Sequence, residues 1–192
     1  MNIEFFGKTL SGPFTIPSGI VTTATPIMQY FFDHMPQVGV MTTKSIGLEP
    51  RTGYREPVLS QYAPGCFVNA IGLTNPGAEK SLELMSALRV PEDRFLLTSI
   101  FGGSIEEFVE VARIMAPVSD GLELNLSCPH ARGYGMAMGQ DPELVWEIVS
   151  AVKAAVGIPV IPKLTPNTPS IGDIAKAAEE AGADGFCAIN TV

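Results

Sequence analysis

The sequence predicts an α/β fold, a (β/α)8 barrel of the TIM type in which about six strand–helix units are present. Three observations predict it. From residue 94 onward, apolar runs of strand length alternate with segments of helical period. The strands are apolar on both faces, as parallel strands covered by helices must be. No GxGxxG follows the first strand, which weakens the dinucleotide-binding form of a doubly wound sheet, the other architecture that fits the alternation.

The elements follow in order. "FTIPSGI" (14–20) and "VGVMTTKSI" (38–46) read as strands, with a short helix across "PIMQYFFDHM" (26–35) between them. Residues 47–74 are rich in Gly and Pro and predict a long excursion, with a small hairpin near "CFVNAI" (66–71). "GAEKSLELMSALRV" (77–90) is helical, and "RFLLTSIF" (94–101) is a buried strand. "SIEEFVEVARIMAPV" (104–118) is a helix opened by a capping box of Ser104 and Glu107. Its apolar stripe is Ile105, Phe108, Val109, Ala112 and Met115. "GLELNLS" (121–127) is the next strand. A helix over 141–157 takes Asp141 as its cap and Pro142 as its first residue, with Gly157 beyond its end. "PVIPKLTP" (159–166) is a strand, "SIGDIAKAAEEAG" (170–182) a helix, and "GFCAINTV" (185–192) a strand. Residues 1–192 are therefore expected to form a single barrel domain, incomplete at its C-terminal end. The absent closing loops are the ones that often bind phosphate in such barrels.

Composition narrows the function. Of 192 residues, 46% are hydrophobic, which excludes a disordered chain. Acidic residues outnumber basic ones 20 to 12, and no Lys/Arg cluster occurs, so nucleic acid is not an expected partner. No apolar run reaches the ~18 residues of a membrane helix, and the start lacks a secretory pattern, so the expected location is the cytoplasm. Three widely spaced cysteines, Cys66, Cys128 and Cys187, form neither a disulfide framework nor a CxxC pair. With only His34 and His130 as histidines, no metal site is expected.

In a barrel the chemistry sits at the carboxyl ends of the strands. That filter selects Ser18 and Gly19, Lys44 and Ser45, Asn125 with Ser127 and Cys128, Lys163, and Asn190 with Thr191, while the excursion adds Asn69. Lysines and amides around one mouth suit an anionic or carbonyl-rich ligand. Each residue also has a plainer reading. A strand-end lysine can be a solvated charge, an asparagine can cap a turn, and Cys66 and Cys187 read as small buried apolar residues. Cys128 is the reactive candidate. It follows a strand, lysines that favour its thiolate lie at neighbouring strand ends, and it opens a glycine-hinged loop (128–140) able to act as a lid.

The motifs "TTKSIGLEPRTGY" (42–54), "NAIGLTNPG" (69–77), "NLSCPH" (125–130), "KLTPN" (163–167) and "INT" (189–191) resemble, in order and spacing, those of the dihydroorotate dehydrogenase family. A cysteine in the active loop resembles class 1 members, and "KLTPN" and "NAIGLTNPG" are closest to class 1B. The resemblance implies an FMN-dependent barrel that oxidises dihydroorotate to orotate in pyrimidine biosynthesis. It also implies a homodimer, with a partner subunit carrying FAD and an iron-sulfur cluster. By the same resemblance Cys128 would take the C5 proton while hydride leaves C6 for the flavin. Lys44 would touch flavin and substrate. Asn69, Ile71, Gly72, Leu73, Asn125, His130, Asn190 and Thr191 would bind the pyrimidine, and Ser18, Gly19, Lys44, Ser45, Asn125 and Lys163 the flavin. His130 departs from the asparagine of many members. Together with "GQDPELV" and "NTV" it is similar to the pyrimidine-reducing domain of dihydropyrimidine dehydrogenase, whose reaction is the alternative. An alternative of another class is a non-catalytic partial barrel used for binding or assembly.

Overall fold

The computed structural model describes residues 3–126 and 138–191, and its main sheet carries six parallel strands in chain order. The chain opens with β1 (Ile3–Phe5) and β2 (Lys8–Leu10), an antiparallel hairpin. It continues through β3 (Phe14–Ile16), α1 (Thr25–His34) and β4 (Val38–Thr42). The excursion contains a second hairpin, β5 (Leu59–Ala63) and β6 (Cys66–Asn69). Then come α2 (Ala78–Ser86), β7 (Phe95–Ile100), α3 (Ile105–Met115), β8 (Gly121–Asn125), α4 (Pro142–Ala155), β9 (Val160–Leu164), α5 (Ile171–Glu180) and β10 (Cys187–Ala188). No helix among the described residues is long and apolar enough to cross a membrane.

The sheet order β3-β4-β7-β8-β9-β10 never reverses. A doubly wound sheet reverses at a switch point and carries helices on both faces. Here one face packs on the helices: Leu96, Ile100, Leu122, Leu124, Val160 and Leu164 share a core with Phe108, Met115, Ile148, Val149 and Ile174. The other face holds a separate small core of Val40, Phe95, Leu97 and Ile161 with Leu10 of the first hairpin. The chain is thus a partial (β/α) barrel with its interior on the helix-free side.

The first hairpin lies outside the elements that the sequence predicts. Its strands have three residues each, too short for alternation to register. It closes the floor of the interior. Phe5 meets Phe95 edge to face at 5.0 Å, and Lys8 pairs with Asp120 at 2.6 Å. The other Asp120 oxygen accepts from Leu96 N at 2.8 Å, so one carboxylate ties the hairpin to the amino end of β7.

The helix starts follow their caps. Ser104, Asp141 and Ser170 each accept backbone N–H groups of the first turn. Glu107, however, accepts from Gly103 N at 2.7 Å, one residue before the cap. The helical run expected to reach residue 118 ends at Met115 and tightens into a 3-10 turn, Ala116–Val118. Pro117 lacks the N–H needed to continue the helix. Cys66, expected to be buried, is exposed on β6, because the second hairpin stands away from the core and all four β6 residues face solvent.

Candidate active site at the strand ends

The carboxyl ends of the barrel strands are joined by side-chain hydrogen bonds. Ser45 is the hub. Its Oγ lies 3.3 Å from Ser18 Oγ and 2.9 Å from Ser99 Oγ, and it accepts from Asn125 Nδ2 at 3.0 Å. Asn125 Oδ1 accepts from Asn190 Nδ2 at 3.3 Å. Asn190 Oδ1 in turn accepts from the backbone N of Thr191 at 2.8 Å and from its hydroxyl at 3.4 Å. Asn167 Nδ2 closes the row on Thr191 O at 3.1 Å. Residues from four loops and two strands are fixed along one rim, and the planes of both central amides are set by partners on either side.

Local sequence explains the placement. In β8 the alternation "GLELN" sends Leu122 and Leu124 to the helices and Glu123 and Asn125 to the interior. Register then sets Asn125 beside Lys163, and Lys163 beside Cys187. After β4 the chain stays extended. Thr43 N bonds to Leu97 O, Thr43 Oγ1 accepts from Ser99 N at 3.1 Å, and Ser45 is held 3% exposed between β3 and β7.

The lysines occupy different settings. Lys44 lies over Gly19, where a Cβ would stand 3.7 Å from its Nζ. Gly19 has φ +87°, a conformation glycine adopts without strain. Lys44 also lines a cavity of about 30 Å³ with Thr22, Thr43, Asn75 and Met85, room for a water but not for a ring ligand. Lys163, whose plainer reading was a solvated charge, is buried inside the barrel. Its Nζ is 3.8 Å from Glu123 Oε1, with side chains only 10% and 2% exposed. Cys187 completes this layer. Burial, with the Glu123 carboxylate beside it, pushes its thiol up to about 12.

The "NAIGLTNPG" segment folds back on "RTGY". Tyr54 N donates to Ile71 O at 3.0 Å, and Arg51 and Asn75 exchange backbone bonds. Gly72 is obligatory there, since a Cβ would come within 2.7 Å of Tyr54 N. Leu73 is buried, Ile71 and Gly72 are half-buried, and Asn69 is exposed at the end of β6, outside the hydrogen-bonded rim. Buried Asn75 ties the segment together. Its Oδ1 accepts from Gly47 N and Gly77 N, and its Nδ2 donates to Leu73 O.

Ser18, Ser45, Asn125, Asn190 and Thr191 are therefore brought together, with Lys44 beside Gly19 and Lys163 in register with Asn125. Cys128, His130 and Ser127 lie outside the described residues. Ser99, Asn75, Asn167 and Glu123 escaped the sequence reading. The signal for Glu123 was present in the alternation that places it on the face of Asn125. Ser99 stood inside an apolar run rather than at its end.

Comparison with known proteins agrees with this geometry. The family model described as dihydroorotate dehydrogenase matches residues 1–192. The catalytic subunit of dihydroorotate dehydrogenase B (NAD(+)) from Pyrococcus abyssi is 45% identical over 192 residues, 100% of this chain and 62% of that protein. The protein of the same name from Methanocaldococcus jannaschii is 48% identical over 157 residues, 80% of this chain and 51% of its own length. The chain thus spans less than two thirds of the curated relatives it matches. Among solved structures, ligand-free DHODH from Eimeria tenella superposes with a TM-score of 0.82 at 18% identity, over 100% of this chain and 62% of that one, a likeness of fold.

Proposed function

The chain belongs to the dihydroorotate dehydrogenase family, and we propose that it carries the pyrimidine-binding side of a flavin-dependent oxidation of dihydroorotate to orotate. The observation that carries this reading is the row Ser45–Asn125–Asn190–Thr191, which spans the barrel rim from β4 to β10. Amide side chains whose planes are locked by neighbours suit a flat ring whose edge alternates C=O and N–H.

The donor set also suits FMN. Ser45 and Asn125 are hydrogen-bonded at the rim, Gly19 leaves beside Lys44 the space a Cβ would fill, and Lys163 supplies a buried cation. When bound, FMN supplies a hydride acceptor. The chain's own residues do the rest. The amides of Asn125 and Asn190 orient the pyrimidine, and Lys44 offers positive charge to its carboxylate. Cys128, placed in this role by sequence, accepts the proton from C5, so that loss of a proton and a hydride together creates the ring double bond. A partner subunit carrying FAD and an iron-sulfur cluster would link the reaction to NAD. The name of the relatives, catalytic subunit of the NAD(+) enzyme, supports a further subunit and the link to NAD.

The test is a titration of flavin-loaded protein with orotate and with uracil, read from the visible flavin spectrum. Orotate is expected to bind at least tenfold more tightly, since a hydrogen bond from a half-buried ammonium to a carboxylate is worth about 1.5–3 kcal/mol. Equal affinities favour the dihydropyrimidine dehydrogenase reaction. No response to either ligand leaves a non-catalytic binding subunit.

A further inference from the structure

Glu123 is a buried ionisable group that the proposed chemistry leaves unused. It is 1% exposed, on the interior face of β8, two residues before Asn125. Its Oε1 has no hydrogen-bond partner among the described residues, and its ion pair with Lys163 stands at 3.8 Å, too long for a hydrogen bond. Removing two charges from water costs several kcal/mol per ion, so such a pair is a weak source of stability. Nothing in the packing demands it. Val40, Phe95, Leu97 and Ile161 fill the layer below with apolar side chains, and a further apolar pair would extend that layer.

What the pair does is present charge. Lys163 sits beside the rim, in register with Asn125 on one side and Cys187 on the other. A lone ammonium there would be an uncompensated buried cation, drawn toward any solvent path. Glu123 supplies that counter-charge at 3.8 Å from the ammonium.

We infer that Glu123 is a positioning residue: as the buried counter-charge of Lys163, it fixes that ammonium at the floor of the mouth, where it meets the electron-rich edge of the bound ring. Resting on the proposed flavin site, this adds a specific role for a residue one layer below it. Cys187 belongs to the same layer. Kept as a neutral thiol by burial and by Glu123, it leaves the pair electrically balanced.

The experiment compares wild type, Glu123→Gln, Glu123→Asp, Lys163→Met and the Glu123→Gln/Lys163→Met double variant. FMN affinity is read by flavin fluorescence, the bound flavin by its absorption spectrum, and stability by melting of flavin-free protein. Glu123→Gln is expected to weaken FMN about tenfold or more and to shift the bound spectrum. Glu123→Asp recovers most of the loss. The double variant is no weaker than Lys163→Met alone, and it melts no lower than the less stable single variant, because the two side chains act as a unit. Wild-type affinity and spectrum in Glu123→Gln, or fully additive losses in the double variant, would overturn the inference. If wild type binds no flavin, the proposed function fails, and the melting cycle alone decides the pair: additive losses reject it, and non-additive losses retain it.

Discussion

Asn125 Nδ2 donates to Ser45 Oγ across 3.0 Å although 80 residues separate them. The bond joins the end of β8 to the loop after β4, past the intervening β7, and Ser99 of β7 bridges the gap with its own hydroxyl 2.9 Å from Ser45. The rim is therefore a tied structure before any ligand arrives. Asn125→Ala removes the donor to Ser45 and the acceptor for Asn190 together. Leaving such groups unpaired costs about 1–3 kcal/mol. The expected outcome is orotate affinity lowered by about 5- to 150-fold, with retained secondary structure in circular dichroism. Calorimetric titration of orotate checks it, and unchanged affinity would remove Asn125 from the site.

Cys128 is the proposed base. Serine keeps the shape of the side chain but is a far weaker base at neutral pH. Cys128→Ser is expected to slow flavin reduction by dihydroorotate about 10²- to 10⁴-fold while orotate affinity stays near wild type. Stopped-flow reduction at wild-type speed rules Cys128 out.

Asp120 ties the floor of the barrel. Its oxygens hold Lys8 and the backbone N–H of Leu96, itself 1% exposed. Asp120→Ala strands that amide and is expected to cost about 1–3 kcal/mol. It also frees the first hairpin, so amide exchange at Leu96 accelerates relative to Leu122. Denaturant melts and hydrogen exchange measure both effects. Equal protection in both proteins would show that Phe5 and Leu10 hold the hairpin without the carboxylate.

Cys187 has its thiol raised from the ordinary 9.0 to about 12, first by burial and then by Glu123. The folded protein keeps a proton that the unfolded chain releases. The stability this contributes is complete below the unfolded value and is lost as pH rises toward the folded one. Stability is thus expected to fall between pH 9 and 12, and Cys187→Ala to flatten that fall. At pH 8 a disulfide reagent should modify exposed Cys66 well before Cys187. Melts across the alkaline range and peptide mass spectrometry are the checks, and equal thiol rates would contradict the assignment.

Much of this was legible in the chain. The strand–helix alternation names all six sheet strands, because parallel strands under helices must be apolar and their lengths separate them from helices. Ser18, Ser45, Asn125 and Asn190 follow from the rule that barrel chemistry sits at strand ends. What escaped lies where local pattern is silent. The first hairpin is too short to show a period, and its place depends on Phe95 and Asp120, more than 80 residues away in sequence. Ser99 is hidden because a buried hydroxyl inside "FLLTSI" carries no turn signal. The Glu123–Lys163 pair needs the register of β8 on β9, which periodicity within either strand cannot supply.

The rim row around Asn125 is proposed to serve oxidation of dihydroorotate rather than another pyrimidine reaction. The direct measurement is anaerobic mixing of flavin-loaded protein with dihydroorotate and, separately, with dihydrouracil, while following the visible flavin absorbance and the product formed. Dihydroorotate is expected to bleach the flavin with one orotate formed per flavin reduced, and dihydrouracil is not. Bleaching by dihydrouracil at an equal or greater rate, or an unbleached flavin in saturating dihydroorotate, would contradict it.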